Sequence, residues 1–197
     1  MTRAQFDRDD VIDKSIELFW KNGYSASSMK QVVQTTGLKP GSLYLAFGNK
    51  EALYREALET YAKKGLAQIQ STLEGAPSVG EGICLILDKY IEASISEHYS
   101  SCFLIKTQLE LAAEGGELHD FAATKLSEVE ALYQHYLEKE FGEAQSRRRA
   151  TSLMLHIFGM RIYGYQHGAA ERIRQGLREG LPWLPWEKVE KAKSEGD

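Results

Sequence analysis

Residues 36–53 of the chain read TGLKPGSLYLAFGNKEAL, and they carry side chains suited to gripping phosphate and reading base edges. Lys39 and Lys50 supply cations, Ser42 a small hydroxyl, and Tyr44 a flat ring ending in a phenolic O–H. Groups of this kind bond to phosphate oxygens and to the edges of bases. The spacing matters as much as the types. Gly37 can adopt the positive φ that a tight turn demands. Pro40 suits the first position of a helix, where its missing N–H is no loss and its φ is already helical. Gly41 leaves the backbone bare at that helix's N-terminus, where unpaired N–H groups and the positive end of the dipole favour an anion.

Around this corner the pattern predicts two short helices, Ser28 to Thr36 and about Pro40 to Phe47, with the dimensions of a helix-turn-helix. Leu43 and Phe47, four residues apart, turn inward toward Val32, Val33 and Phe19, so Ser42, Tyr44 and Ala46 point elsewhere. The net charge of −4 argues against a nucleic-acid partner when taken over the whole chain. Its distribution argues for one. No Asp or Glu lies between Leu18 and Lys50, whereas Lys21, Lys30, Lys39 and Lys50 do, and from Gly65 onward acidic residues outnumber basic ones. Within a Debye length of about 8–10 Å, a DNA backbone meets the local field and not the total.

The elements that must position this corner are helical throughout. Apolar residues recur three and four apart, and no period-two alternation persists, which predicts an all-α fold of about nine helices. A first helix from about Asp7 to Asn22 presents Ile12, Ile16, Phe19 and Trp20 and stops at Gly23. Ser27 or Ser28 caps the second. Asn49 caps a longer helix running toward Leu73, and Ser78-Val-Gly-Glu81 matches the capping box of the next. A shorter helix spans about Cys102 to Ala113, and an amphipathic one runs from about Glu117 to Phe141. The stretch Leu153–Tyr165 is apolar on nearly every side and needs cover all round; a last helix runs from Ala169 to Leu181. The division expected is an N-terminal three-helix unit over 1–60, a larger body over 61–182, and a tail over 183–197 with Trp183 and Trp186 docked and the charged end frayed.

At Ser27, Ser28, Met29, Val32, Val33, Gly37, Leu38, Gly41, Ser42, Leu43, Tyr44, Phe47, Lys50, Glu51 and Leu53 the sequence resembles the tetracycline-repressor (TetR) family of regulators. The likeness covers about residues 8 to 61. It implies an N-terminal helix-turn-helix DNA-binding domain whose recognition helix is Pro40 to Phe47. The helical body would then form the ligand-binding and dimerisation domain. The DNA-binding set it implies is Ser27, Ser28, Lys30, Lys39, Pro40, Gly41, Ser42, Tyr44 and Lys50. Three positions depart from the family habit: Lys39 in place of a serine cap, Ala46 in place of a histidine or tyrosine, and Thr35-Thr36 in place of an alanine-containing pair.

Other chemistry is sparse. Cys102 has Lys106 four residues on, so on a helix the ammonium can lie over the thiol and favour the thiolate. The segment also resembles the cysteine stretch of TetR-type regulators that sense electrophiles. Cys84 sits among Ile83, Leu85 and Ile86 and reads as core. Cys102, Phe103, Tyr133, Met154, Phe158 and Arg161 are the residues expected to line a ligand cavity. Arg161 and His156, on the apolar stretch, need partners at an interface or in that pocket. His98 and Cys102 are spaced i, i+4 but lack further ligands, so no metal site and no cofactor are expected. No nucleophile elbow, phosphate loop, His-Glu-x-x-His or dinucleotide fingerprint is present, which argues against an enzyme. The longest uncharged run, Ala150 to Met160, is too short for a membrane helix, and no apolar leader opens the chain, so a cytoplasmic protein is expected.

Together these readings predict a homodimeric repressor, paired through its last two helices, on a near-palindromic operator in double-stranded DNA. An unidentified small-molecule effector would release it. The alternatives are a redox- or electrophile-sensing repressor acting through Cys102, and a DNA-bound architectural protein controlled by a protein partner.

Overall fold

A computed structural model describes residues 6–96 and 99–194 of the 197. His98 therefore lies outside the described residues. Among those described are ten α-helices and no strand: α1 Arg8–Asn22, α2 Met29–Thr36, α3 Pro40–Phe47, α4 Lys50–Gly75, α5 Val79–Ser94, α6 Phe103–Leu111, α7 Glu117–Phe141, α8 Glu143–Tyr163, α9 Ala169–Gly180 and α10 Trp186–Ser194. The all-α expectation holds. The count is one higher because residues 186–194 coil into a helix where a frayed tail was expected. Leu184 and Val189 bury themselves in the core beside it, and the Trp186 indole donates to Leu181 O at 3.0 Å.

The helix boundaries follow local chemistry. Asp7 caps α1 by accepting from Asp9 N and Asp10 N, and α1 stops at Gly23, φ 84°. Ser28 caps α2 in a reciprocal box with Gln31, and Gly37, φ 72°, ends that helix in the left-handed region. Pro40 opens α3, and Asn49 Oδ1 accepts from Ala52 N at 2.8 Å at the start of α4. Ser78 Oγ accepts from Glu81 N at 3.2 Å at the start of α5.

The chain divides into two compact units, and neither is a continuous segment. One comprises residues 1–64 and 102–126, the other 65–101 and 127–197. The expected division at residue 60 follows the order of the chain, whereas these units follow its contacts. α6 and the first part of α7 group with the N-terminal helices, through contacts that no reading along the chain could pair.

The core of the first unit is aromatic. Tyr54, fully buried, lies 4.8 Å from Phe19, 5.0 Å from Tyr24 and 5.2 Å from Phe103 between ring centroids. Edge-on packing of this kind adds about 0.5–1.5 kcal/mol per pair to the burial itself. Thr107 Oγ1 donates to Phe103 O at 2.9 Å, which leaves it to accept from Tyr54 Oη at 2.7 Å. The buried phenol is thereby satisfied, and burial pushes its pKa well above the ordinary tyrosine range.

In the second unit one hydrophobic core runs from Ile69 and Leu73 through Ile83, Leu87, Tyr133, Leu137, Leu153 and Ile157 to Ile173, Leu177 and Val189. Gly82 permits a close approach there, since a Cβ would stand 3.1 Å from the Leu73 backbone. Within the single chain α8 is covered on one side. It buries Ala150, Leu153, Met154, Ile157 and Met160, but leaves Leu155 66% and Ile162 48% exposed.

Candidate functional site

The first unit holds α3 in a fixed setting. Leu43 and Phe47 are buried on one side of the helix, as their four-residue spacing predicts. The Arg8 guanidinium grips the C-terminal end of the helix. It donates to Ala46 O at 3.1 Å, forms a two-point pair with the Glu56 carboxylate at 2.9 and 2.7 Å, and lies 4.3 Å over the Phe47 ring. With Leu43 and Phe47 buried and the C-terminal end held by Arg8, rotation of α3 about its axis is restrained, and the residues it turns outward are determined by the core.

Those outward residues include most of the predicted DNA set. Lys39, Pro40, Gly41 and Tyr44 are exposed, and Ser42 is half-exposed. Lys39, the N-cap residue, makes no side-chain capping bond, so the departure from serine leaves the α3 N–H groups without a side-chain acceptor there. A Cβ built on Gly41 meets nothing within 4 Å, so this end of the helix is open to an approaching anion. Lys30, on α2, is also exposed.

Three of the predicted residues have other work. Ser27 is buried and donates through Oγ to Gly23 O at 2.6 Å, which turns its hydroxyl away from the surface. Ser28 is exposed, but its hydroxyl is engaged with Gln31 in the capping box. Lys50 is half-buried; its ammonium donates to Tyr24 O at 3.0 Å and Ser27 O at 3.1 Å and sits 4.0 Å over the Tyr24 ring. It staples the α1–α2 loop to α4.

Sequence reasoning missed Arg8, Glu110 and Leu45 and misplaced Lys106. Arg8 escaped notice because its partners lie 38 and 48 positions away. Glu110 on α6 accepts from Tyr24 N at 2.9 Å and Ser25 N at 2.7 Å, bracketing the same loop that Lys50 holds. Lys106, one turn earlier, donates to Trp20 O. Its expected place over Cys102 is replaced by that bond, and burial lowers the pKa of its ammonium. Leu45, 89% exposed on α3, was passed over because a leucine in an amphipathic pattern reads as core.

The six expected ligand residues do not form one set. Phe103 is fully buried against Tyr54 and Tyr61 and serves as core of the first unit; Cys102, half-buried, is the N-cap residue of α6. In the second unit Tyr133 and Met154 are buried, Phe158 is partly so, and the Arg161 guanidinium lies 3.7 Å over the Tyr90 ring. The pKa of Tyr133 is held far above the usual tyrosine range by burial, then by Tyr90, with Arg161 opposing. A groove of about 420 Å³ between α8 and α9 is lined instead by Leu155, His156, Gly159, Tyr163, Arg172 and Gly176, among others, and by none of the six. No group of three or more potential metal ligands occurs among the described residues. None of the described helices is long and apolar enough to cross a membrane.

Comparison with known proteins bears on the helix-turn-helix and on the whole fold. Residues 11–57 match the family model of bacterial regulatory proteins of the tetR family. The HTH-type transcriptional repressor ComR of Escherichia coli K12 is 27% identical over 86% of this chain and 85% of its own. The uncharacterized HTH-type transcriptional regulator YezE of Bacillus subtilis is 28% identical over 71% of this chain and 73% of its own. A cysteine-substituted form of the TetR family transcriptional regulator CifR, solved with 26-base-pair operator DNA, superposes with a TM-score of 0.77 at 25% identity. The match covers 91% of this chain and 98% of that one. Residues 11–57, with the turn at Gly37, Pro40 opening α3 and the buried pair Leu43 and Phe47, therefore carry the helix-turn-helix that the tetR family model describes, and the all-α architecture is similar to that of a TetR family transcriptional regulator along most of the chain.

Proposed function

We propose that the protein is a homodimeric repressor that binds a near-palindromic operator through α3 and releases it when a small molecule occupies the second unit. The observation that carries the DNA-binding part is the outward face of α3. Lys39, Gly41, Ser42 and Tyr44 present a cation, bare backbone, a hydroxyl and a phenol from a helix locked by Leu43, Phe47 and Arg8. Operator DNA bound by CifR supports the reading by likeness. Selection of genomic fragments on the immobilised protein tests it: retained duplexes should share an inverted repeat with half-sites about 34–36 Å apart. Tyr44→Ala should weaken their binding, and an unchanged affinity removes Tyr44 from the interface.

Dimerisation through α8 and α9 is supported by the uncovered apolar strip of Leu155 and Ile162, with Gly159 and Gly176 allowing close backbone approach. Isologous pairing would cover it. Sedimentation at micromolar concentration should give a dimer, and a monomer overturns the reading. Effector release requires a ligand that binds the two dimer geometries unequally. The buried Tyr133 and the half-buried Arg161, whose charge acts on that phenol, are its proposed anchors, in a cytoplasmic protein working on double-stranded DNA.

A thiol-sensing variant of the same function is favoured by the placement of Cys102 at the first turn of α6, whose next residues Lys106, Thr107 and Glu110 all hold the first unit together. Modification at Cys102 would disturb that bracket. Cys102→Ser should then abolish release by electrophiles, and an unaltered response excludes the thiol.

A further inference from the structure

We propose that Leu45 is a base-reading residue that selects thymine, its isobutyl group meeting the 5-methyl of one thymine in each half-site of the operator. The inference rests on the DNA-binding reading of α3 and adds a determinant of sequence to it. Leu45 is 89% exposed, the largest exposure among the large apolar side chains of the described residues. Its neighbour Tyr44 is 51% exposed, so the outward side of α3 is apolar at its centre. The surroundings decide what could cover it. Lys21, Lys30 and Lys39 are exposed, and no Asp or Glu occurs between Leu18 and Lys50. That is the charge complement of a polyanion, and a polyanion with an apolar group to offer is DNA at a thymine.

The helix geometry strengthens the point. Gly41 and Leu45 are four apart and share a face, and Gly41 contributes no side chain to it. Leu45 therefore stands beside bare backbone, the arrangement that lets α3 sit deep in a major groove with one aliphatic group leading. Arg8 and the buried pair Leu43 and Phe47 fix the direction in which it leads. In the major groove thymine alone offers a methyl group; the other bases present donors and acceptors at their edges. Leucine set against one of those edges strips it of water and returns no hydrogen bond. Discrimination thus comes both from contact with the methyl and from the penalty on every other base.

The test uses the full-length protein and a synthetic duplex of the operator obtained by selection, with each thymine replaced in turn by uracil. This exchange deletes the methyl and nothing else. The parent should lose about fourfold in affinity at one position per half-site, the value of one buried methyl group. Leu45→Ala should bind the thymine and uracil duplexes equally while keeping the parent's urea midpoint, since the side chain is on the surface. Leu45→Met, which keeps an apolar tip, should retain part of the preference. The proposal is overturned if no uracil position separates the parent from Leu45→Ala, or if Leu45→Ala lowers affinity for all sequences by the same factor. A parent that retains no duplex even at low salt overturns the DNA-binding reading itself, which is a distinct result.

Discussion

Replacing Lys50 by methionine separates two roles that a lysine at this position could play. Methionine keeps most of the aliphatic stem and deletes the charge. In the folded chain the ammonium makes hydrogen bonds of 3.0 and 3.1 Å to Tyr24 O and Ser27 O and a cation–π contact of 4.0 Å with the Tyr24 ring. Bonds from a charged donor contribute roughly 1.5–3 kcal/mol each when buried. Here the site is half-exposed and the two carbonyls can recover water, so about 1 kcal/mol each is the better figure. The ring contact adds about 0.5 kcal/mol at such a site. Lys50→Met should therefore lose about 2–2.5 kcal/mol, a drop of roughly 1 M in the urea midpoint for an m-value of about 2–3 kcal/mol/M. The measurement is made at fixed protein concentration, because dimerisation would otherwise enter the midpoint. Operator affinity against salt supplies the contrast. Lys39→Ala should lower the salt slope by about 0.9 per bound subunit and leave the urea midpoint alone. If Lys50→Met instead leaves stability within about 0.5 kcal/mol of the parent and lowers the salt slope by about 0.9 per subunit, the staple is idle and the lysine is a phosphate contact.

Three other outcomes are expected. Thiol reagents at pH 7–8 should modify Cys102 in the native protein and Cys84 only after unfolding, because Cys84 is buried and the pKa of its thiol is pushed up to about 12; one equivalent of label before denaturant and two after checks this. The Glu74 carboxyl is held below its ordinary value of 4.5 by hydrogen bonds from Tyr136 and Gln70, so its contribution to stability is present above about that pH and is lost as pH falls through its folded value. Tyr136→Phe should move the Glu74 titration upward in a carbon-detected NMR experiment and weaken this acid dependence. Gly180→Ala should cost about 1 kcal/mol or more, since a Cβ there would overlap Nε2 of His156, whose Nδ1 is paired with Ser152 O at 2.7 Å. Adding His156→Ala should restore part of the loss, and additive effects in that double mutant would show that the two side chains do not compete for the space.

The helix-turn-helix was legible because its signals are local. The φ of 72° at Gly37, Pro40 at the first position of α3 and the box of Ser28 with Gln31 involve residues no more than three apart. The bounds of α3 and α7 fall where the pattern puts them for the same reason. What failed involved distance. Ser27 and Lys50 look like free polar groups in a basic window until the fold brings Gly23 O to one and two loop carbonyls to the other. Phe103 reads as a pocket residue until Tyr54 and Tyr61 close on it. The charged end of the tail reads as frayed until Val189 finds the core of the second unit.

The sequence by itself determined where the helices of the helix-turn-helix begin and end and which window of the chain carries positive charge, since both depend on neighbours within a turn or two. The tertiary structure decided which polar and apolar groups remain available. Lys50 is bound to residues 23 and 26 positions before it, Glu110 to residues about 85 positions before it, and Arg8 to residues 38 and 48 after it. Availability is what remains after such pairings are made. On α3 what remains is Lys39, the bare backbone at Gly41, Tyr44 and the exposed Leu45.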